Sequence, residues 1–143
     1  MLIGINPLLN GDLLKILDDM GHGDELCLVD RNFPAFATGR PVIRLGDSSI
    51  EKAGTAILSV FPLDTFVEHP LERMEVENDS SILTEAAREL LEIARATHER
   101  PLEYGVVPRF EFYERAKAAF AVVHTLDARP YGCFILSKGV VNS

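Results

Sequence analysis

The sequence lacks the signatures of most cofactor-dependent and covalent chemistries. It holds no GxGxxG, no Walker-type phosphate loop, no GxSxG elbow, no HExxH and no CxxC. Nucleotide-cofactor and serine-hydrolase chemistry therefore lose their usual sequence support. His69, His98 and His124 show no metal-ligand spacing. His22 with Asp24 and Glu25 is only a weak metal pattern, so neither a metal nor an organic cofactor is expected. Cysteine is scarce too. Cys27 and Cys133 are the only two, each inside an apolar run (ELCLV and YGCFIL). Without a wider cysteine framework, buried free thiols are expected rather than a reactive or disulfide-bonded pair.

Positive charge is also in short supply. Fourteen Lys and Arg stand against 22 Asp and Glu, a formal net charge of −8. Nucleic acid and anionic membrane are therefore unattractive partners, whereas a neutral ligand would be indifferent to the field. No apolar run approaches the ~18 residues of a membrane span. The start Met1-Leu2-Ile3-Gly4 has no basic region, and no small-residue cleavage site follows an apolar stretch. A cytoplasmic location is the default expectation.

What is present suits one folded unit. The 143 residues are 47% hydrophobic and 25% charged, and a domain of that size hides about 70% of its unfolded surface. A single domain over 1–143 is expected. Asn10 can cap a helix with Leu13, Leu14, Leu17 and Met20 at helical spacing, and Gly21 can stop it in the left-handed conformation. Glu25 to Asp30 reads as a short buried strand ended by Phe33-Pro34, and Pro41 to Leu45 as a second. Ser48 or Ser49 can cap the next helix, with Ile50, Ala53, Ile57 and Val60 as its inner stripe.

Thr65 to Val76 looks extended, interrupted by Pro70. After Asp79-Ser80-Ser81 comes the clearest helix, about Leu83 to Thr97, with Leu90, Leu91 and Ile93 inward. A short amphipathic helix is predicted over Phe110 to Phe120, then closing strands at Ala121 to Thr125 and Gly132 to Leu136. Helices alternating with nearly all-apolar strands predict an α/β three-layer sandwich, with a central mostly parallel sheet and helices on both faces. Ligands in such sheets gather beyond the carboxyl ends of strands, where Asp30 would stand.

His22 is the most informative residue. It lies in Met20-Gly21-His22-Gly23-Asp24-Glu25, where two glycines let the backbone bend and leave space beside the ring. Imidazole gives and takes protons near neutrality; a loop histidine can also simply cap the preceding helix. Asp30 can hold a polyhydroxylated ligand or orient the imidazole, or be a solvated loop carboxylate. Eight residues separate the two, so an extended chain could hold them more than about 20 Å apart. They share a site only if the loop folds back or another subunit intervenes. Arg109 offers a planar fork of donors that suits vicinal hydroxyls or a carboxylate, against the reading of an ordinary surface arginine. Tyr131 can stack on a sugar face and hydrogen-bond to it, or pack on the core from a turn.

The segments Gly4-Ile5-Asn6-Pro7-Leu8-Leu9, Leu13-Leu14-Lys15, Met20 to Glu25 and Asp30-Arg31-Asn32-Phe33-Pro34-Ala35 closely resemble the amino-terminal signature of L-fucose mutarotases. The carboxyl-terminal half matches through Arg109-Phe110-Glu111-Phe112-Tyr113-Glu114-Arg115-Ala116, Tyr131-Gly132 and Lys138-Gly139-Val140. The resemblance spans essentially the whole chain. D-ribose pyranases share the glycine–histidine loop and the strand-end aspartate, but Phe33-Pro34 and RFEFYERA look like the fucose branch. Arg31 and Cys133 fall where the family varies.

The resemblance implies a metal-free isomerase that interconverts the α and β anomers of a free monosaccharide by general acid–base ring opening. It implies His22 as proton donor, and sugar contacts from Asp30, Arg109, Tyr131, Gly132 and Cys133. It also implies pentameric rings, often paired into decamers, with sites at subunit interfaces. Two other functions fit the same residues: a non-catalytic sugar-binding or regulatory module, and a pyranose–furanose mutarotase for ribose or another sugar. A small metal-dependent isomerase is a third, remoter reading.

Overall fold

The structure, a computed structural model, describes residues 1–142. Asn10 starts the first helix: its Oδ1 accepts the N–H of Leu13 at 2.9 Å, which satisfies one orphan donor of the first turn. Helix α1 (Gly11–Asp19) buries Leu13 and Leu17 and ends at an extended Met20. The left-handed residue is not Gly21, as the sequence suggested, but Gly23, at φ 88°. Asp24 Oδ2 accepts the N–H of Gly21 at 2.7 Å, and Gly23 donates its N–H to Lys138 O at 2.8 Å. The reversal therefore falls later, where the chain must turn into the sheet.

Among the described residues six strands form one sheet. They are β1 (Glu25–Val29), β2 (Val42–Arg44), β3 (Leu71–Met74), β4 (Gly105–Val107), β5 (Ala121–His124) and β6 (Phe134–Ser137), in the order β2-β5-β1-β6-β3-β4. Within that sheet β6 runs antiparallel to both its neighbours, and the remaining pairings are parallel. Side-chain alternation gives the strands two buried faces. Leu26, Leu28, Ala121, Val123, Phe134 and Leu136 pack on one side, under α1, α2 (Ile50–Leu58) and α3 (Glu85–His98). Cys27, Val29, Val122 and Ile135 pack on the other with Phe33, Phe112 and Ala116, under α4 (Arg109–Lys117) and a 3₁₀ turn at Ala35–Thr38. This is the expected three-layer sandwich.

Three boundaries differ from expectation for local reasons. Ser49 Oγ caps α2 through Lys52 N–H at 3.1 Å, but the helix ends before Val60, which is 42% exposed while Phe61 turns inward. Thr84 Oγ1 caps α3 through Ala87 N–H at 3.2 Å, so the helix starts at Glu85 rather than Leu83. Ile93 is only half-buried there, beside buried Leu90 and Leu91. Pro108 precedes α4 and moves its start to Arg109, since proline suits the entry to a helix and not its interior. Strand β4 and the 3₁₀ turn had no sequence counterpart.

The topology sorts the loops. Asp30 follows β1, Met74 ends β3, Arg109 lies just past β4 and Cys133 just before antiparallel β6, so all four fall along the carboxyl edge of the parallel strands. His22 precedes β1, Lys138 follows β6, and Leu63 bridges to Lys138. Those residues mark the amino edge. Among the described residues no helix is long and apolar enough to cross a membrane.

Candidate functional site

A cleft of about 290 Å³ opens at the carboxyl edge. Asp30, Arg109, Tyr131 and Cys133 line it together with Asn32, Phe33, Pro34, Met74, Tyr113 and Pro130. Asp30 is only 5% exposed and ties two distant segments together. Its Oδ1 accepts the N–H groups of Asn32 at 3.0 Å and Phe33 at 3.1 Å. Its Oδ2 accepts Gly132 N–H at 3.1 Å, and Cys133 Sγ donates to it at 3.6 Å. Burial pushes the carboxyl above its ordinary range, and the four donors oppose that without cancelling it. Asp30 thus braces the cleft floor rather than standing solvated in a loop.

Gly132 fits under this brace closely, since a Cβ there would meet Asp30 Cβ at 3.3 Å and Arg129 O at 3.4 Å. Tyr131 beside it adopts φ 60°, a left-handed conformation that costs a non-glycine residue about 1 kcal/mol or more. Such strain persists where the surrounding fold imposes it, and here it falls on a ring lining the cleft. Arg109 is exposed and its Nε donates to Tyr113 Oη at 2.9 Å. Its guanidinium carbon lies 5.6 Å from the Tyr113 ring centroid and 5.5 Å from that of Phe110. Among the described residues its terminal nitrogens have no hydrogen-bond partner, so two donor groups remain for a ligand.

The thiols are buried and free. Burial pushes Cys27 up to about 12 and Cys133 well above its ordinary value, the Asp30 carboxylate adding to the effect. Neither is a poised nucleophile.

His22 is not in this cleft. It stands at the amino edge, beyond the other end of strand β1, whose five residues alone span about 17 Å. Its Nε2 lies 2.9 Å from Asp64 Oδ1, and the ring is 39% exposed against 5% for the carboxylate. Phe66 meets it edge-on, with centroids 4.9 Å apart. The carboxylate partner of the imidazole is therefore Asp64, and the alternative in which Asp30 orients the ring does not hold within one chain. Burial alone would raise Asp64, but hydrogen bonds from Phe66 N–H and His22 bring it below the usual carboxylate range. Among the described residues no three His, Cys, Asp or Glu side chains converge as a metal site.

Sequence reading missed Asp64, which lies 42 residues from its partner; nothing local marks such a pair. Tyr113 was within reach, because it follows Arg109 at the i, i+4 spacing that makes helix neighbours.

This is a small α/β protein whose cleft at the carboxyl sheet edge offers hydrogen-bond donors and acceptors beside aromatic rings. The chain belongs to the RbsD / FucU transport protein family, whose model matches residues 3–141. It is 45% identical over 141 residues to a Glaesserella parasuis protein named L-fucose mutarotase, covering 98% of this chain and 96% of that one. A Haemophilus influenzae protein of the same name is 43% identical over 141 residues, covering 98% and 97%. Among solved structures, the fucose mutarotase from Streptococcus pneumoniae in complex with L-fucose superposes with a TM-score of 0.90 at 32% identity, covering 99% of this chain and 100% of that one.

Proposed function

We propose that this protein is a sugar mutarotase, an isomerase that interconverts the α and β anomers of free L-fucose. One observation carries the reading beyond likeness to relatives of that name: Asp30, Arg109, Tyr131 and Cys133 come from three separate segments yet line one cleft. Donors and acceptors there suit vicinal hydroxyls, and the Tyr131 and Tyr113 rings suit a sugar face.

Mutarotation needs little machinery. A proton reaches the ring oxygen as the C1–O5 bond breaks, and the anomeric hydroxyl loses its proton as C1 becomes an aldehyde carbon. Rotation about C1–C2 and the reverse transfers close the ring on the other face. Charge balances, and no group leaves. General acid–base catalysis contributes typically 10²–10⁴-fold, a useful gain over spontaneous anomer exchange in water. His22 is the donor to the ring oxygen. Asp30, with four donors already on its two oxygens, holds the floor on which the sugar rests; Tyr131 Oη or a bound water accepts the proton of the anomeric hydroxyl while giving up its own to solvent.

His22 and the cleft meet between protomers. Placement at opposite sheet edges supports a head-to-tail contact, and a contact between two different faces closes into a ring when the rotation per protomer divides the circle evenly. A pentamer, or two such rings as a decamer, is the assembly proposed. Exposed apolar side chains flank both halves: Phe66 at 73% and Val67 at 44% beside His22, Phe110 at 74% beside Arg109. Free thiols suit a reducing compartment, so the cytoplasm is the proposed location.

Saturation-transfer NMR on L-fucose tests the reaction. Exchange between anomers well above the buffer rate is expected, and lost in His22→Ala with the fold intact. Binding of fucose with exchange at the buffer rate would instead make this a non-catalytic sugar-binding module. A panel including ribose, run the same way, fixes the preferred sugar.

A further inference from the structure

We propose that Asp64 is a positioning residue for His22, fixing which ring nitrogen meets the sugar; the inference rests on the mutarotase reading and deepens it. An ionised carboxylate only accepts hydrogen bonds. With Asp64 Oδ1 at 2.9 Å from Nε2, that nitrogen must carry its hydrogen. The neutral ring then has its lone pair on Nδ1, and the imidazolium has its transferable proton there. When Nδ1–H gives that proton to the ring oxygen, the ring is left in the tautomer already bonded to Asp64. No rotation is needed before the reverse step. Asp64 is held below the usual carboxylate range by Phe66 N–H and His22 acting against its burial, so it stays an acceptor throughout.

The fold builds this pair deliberately. Three consecutive residues at the end of β6 hold both loops. Lys138 accepts Gly23 N–H at 2.8 Å and donates its own N–H to Asp24 O at 2.9 Å, fixing the histidine loop. On the other side, Asp64 N–H donates to Ser137 O at 3.0 Å and Gly139 N–H to Pro62 O at 2.8 Å. Gly139 has no room for a side chain, since a Cβ would lie 2.7 Å from Leu63 O and 2.9 Å from Asp64 Cα. The spacing between imidazole and carboxylate is thus set by one short template, and Phe66 braces the ring edge-on.

The test reads the ring directly and then the reaction. In ¹⁵N-histidine-labelled full-length protein, with the His22 resonances identified by their loss in His22→Ala, the neutral ring is expected to carry its proton on Nε2. Asp64→Ala removes the acceptor from Nε2 and leaves the proton free to settle on either ring nitrogen, whereas an asparagine would keep its oxygen toward Phe66 N–H and the ring. Anomer exchange at saturating fucose should then fall about 10- to 100-fold, part of what general acid–base catalysis supplies, while the half-saturating fucose concentration stays within about twofold. A wild-type ring protonated on Nδ1, or an Asp64→Ala protein with wild-type exchange, overturns the proposal. The wild-type spectrum needs no variant to fold. Exchange that survives in His22→Ala removes the mutarotase role of His22, and the ring tautomer still reports separately on Asp64.

Discussion

Asp127 caps helix α2 from beyond β5, its Oδ2 accepting the N–H of Ile50 at 3.0 Å. The same oxygen takes a second hydrogen bond from Arg129 at 2.8 Å, and Arg129 also reaches Glu89 on α3 at 2.7 Å. One carboxylate therefore ties the loop after β5 to the helix layer. Burial would raise its pKa, but Arg129 and the Ile50 N–H outweigh that and hold it at about 2.

The sign of the linkage follows. Asp127 has a folded value of about 2 against an ordinary 3.8, so it contributes stability that is complete above about pH 4 and lost as the pH falls toward 2. The contribution is about 2 kcal/mol, an order-of-magnitude figure at 1.36 kcal/mol per unit. Urea unfolding of the wild type between pH 5 and pH 2.5 should show this loss, and Asp127→Asn should show a flatter profile with lower stability at pH 5. An equally steep profile in the variant would assign the acid sensitivity elsewhere.

Gly139 should tolerate no side chain. Its Cβ would press on the Leu63–Asp64 backbone, which cannot swing aside as a flexible side chain could. Gly139→Ala is expected to lower stability by about 1–3 kcal/mol, the usual range for overpacking. It should also slow anomer exchange by displacing Asp64. Thermal unfolding and NMR exchange measured on the same sample check both.

The two thiols should be inert in the native protein. Cys27 and Cys133 are buried, and burial disfavours the thiolate that alkylating reagents need. Iodoacetamide at pH 8 should leave the native mass unchanged, while the denatured chain gains an adduct at each cysteine. Rapid native labelling would show that one of these sites opens.

Much of the architecture was readable where local chemistry decides it. Asn10 and Ser49 cap helices as polar side chains before an apolar stripe do, and the near-continuous apolar runs of β1 and β5 mark strands buried on both faces. β4 left little trace, because Gly105–Val107 is short and holds its place by pairing with β3. Gly21 misled because a glycine after a helix is only able to take the left-handed form; the bond from Gly23 to Lys138 decides where the turn falls. Of the cleft, Asp30, Arg109 and the Tyr131–Cys133 segment could be named from residue type and family resemblance. The His22–Asp64 pair could not be completed, since its second member is positioned through β6 and not through neighbouring sequence.

The separation of His22 from the cleft makes one measurement decisive. His22→Ala and Arg109→Ala protomers, each expected to lose anomer exchange alone, can be co-expressed and their mixed assembly verified by native mass spectrometry. If each site takes its imidazole from one protomer and its cleft from the next, an equal mixture restores an intact pair at about a quarter of the interfaces of a cyclic ring. Anomer exchange of L-fucose should return to about that fraction of the wild-type rate. Mixed rings that stay at the buffer rate would contradict a site shared between neighbours.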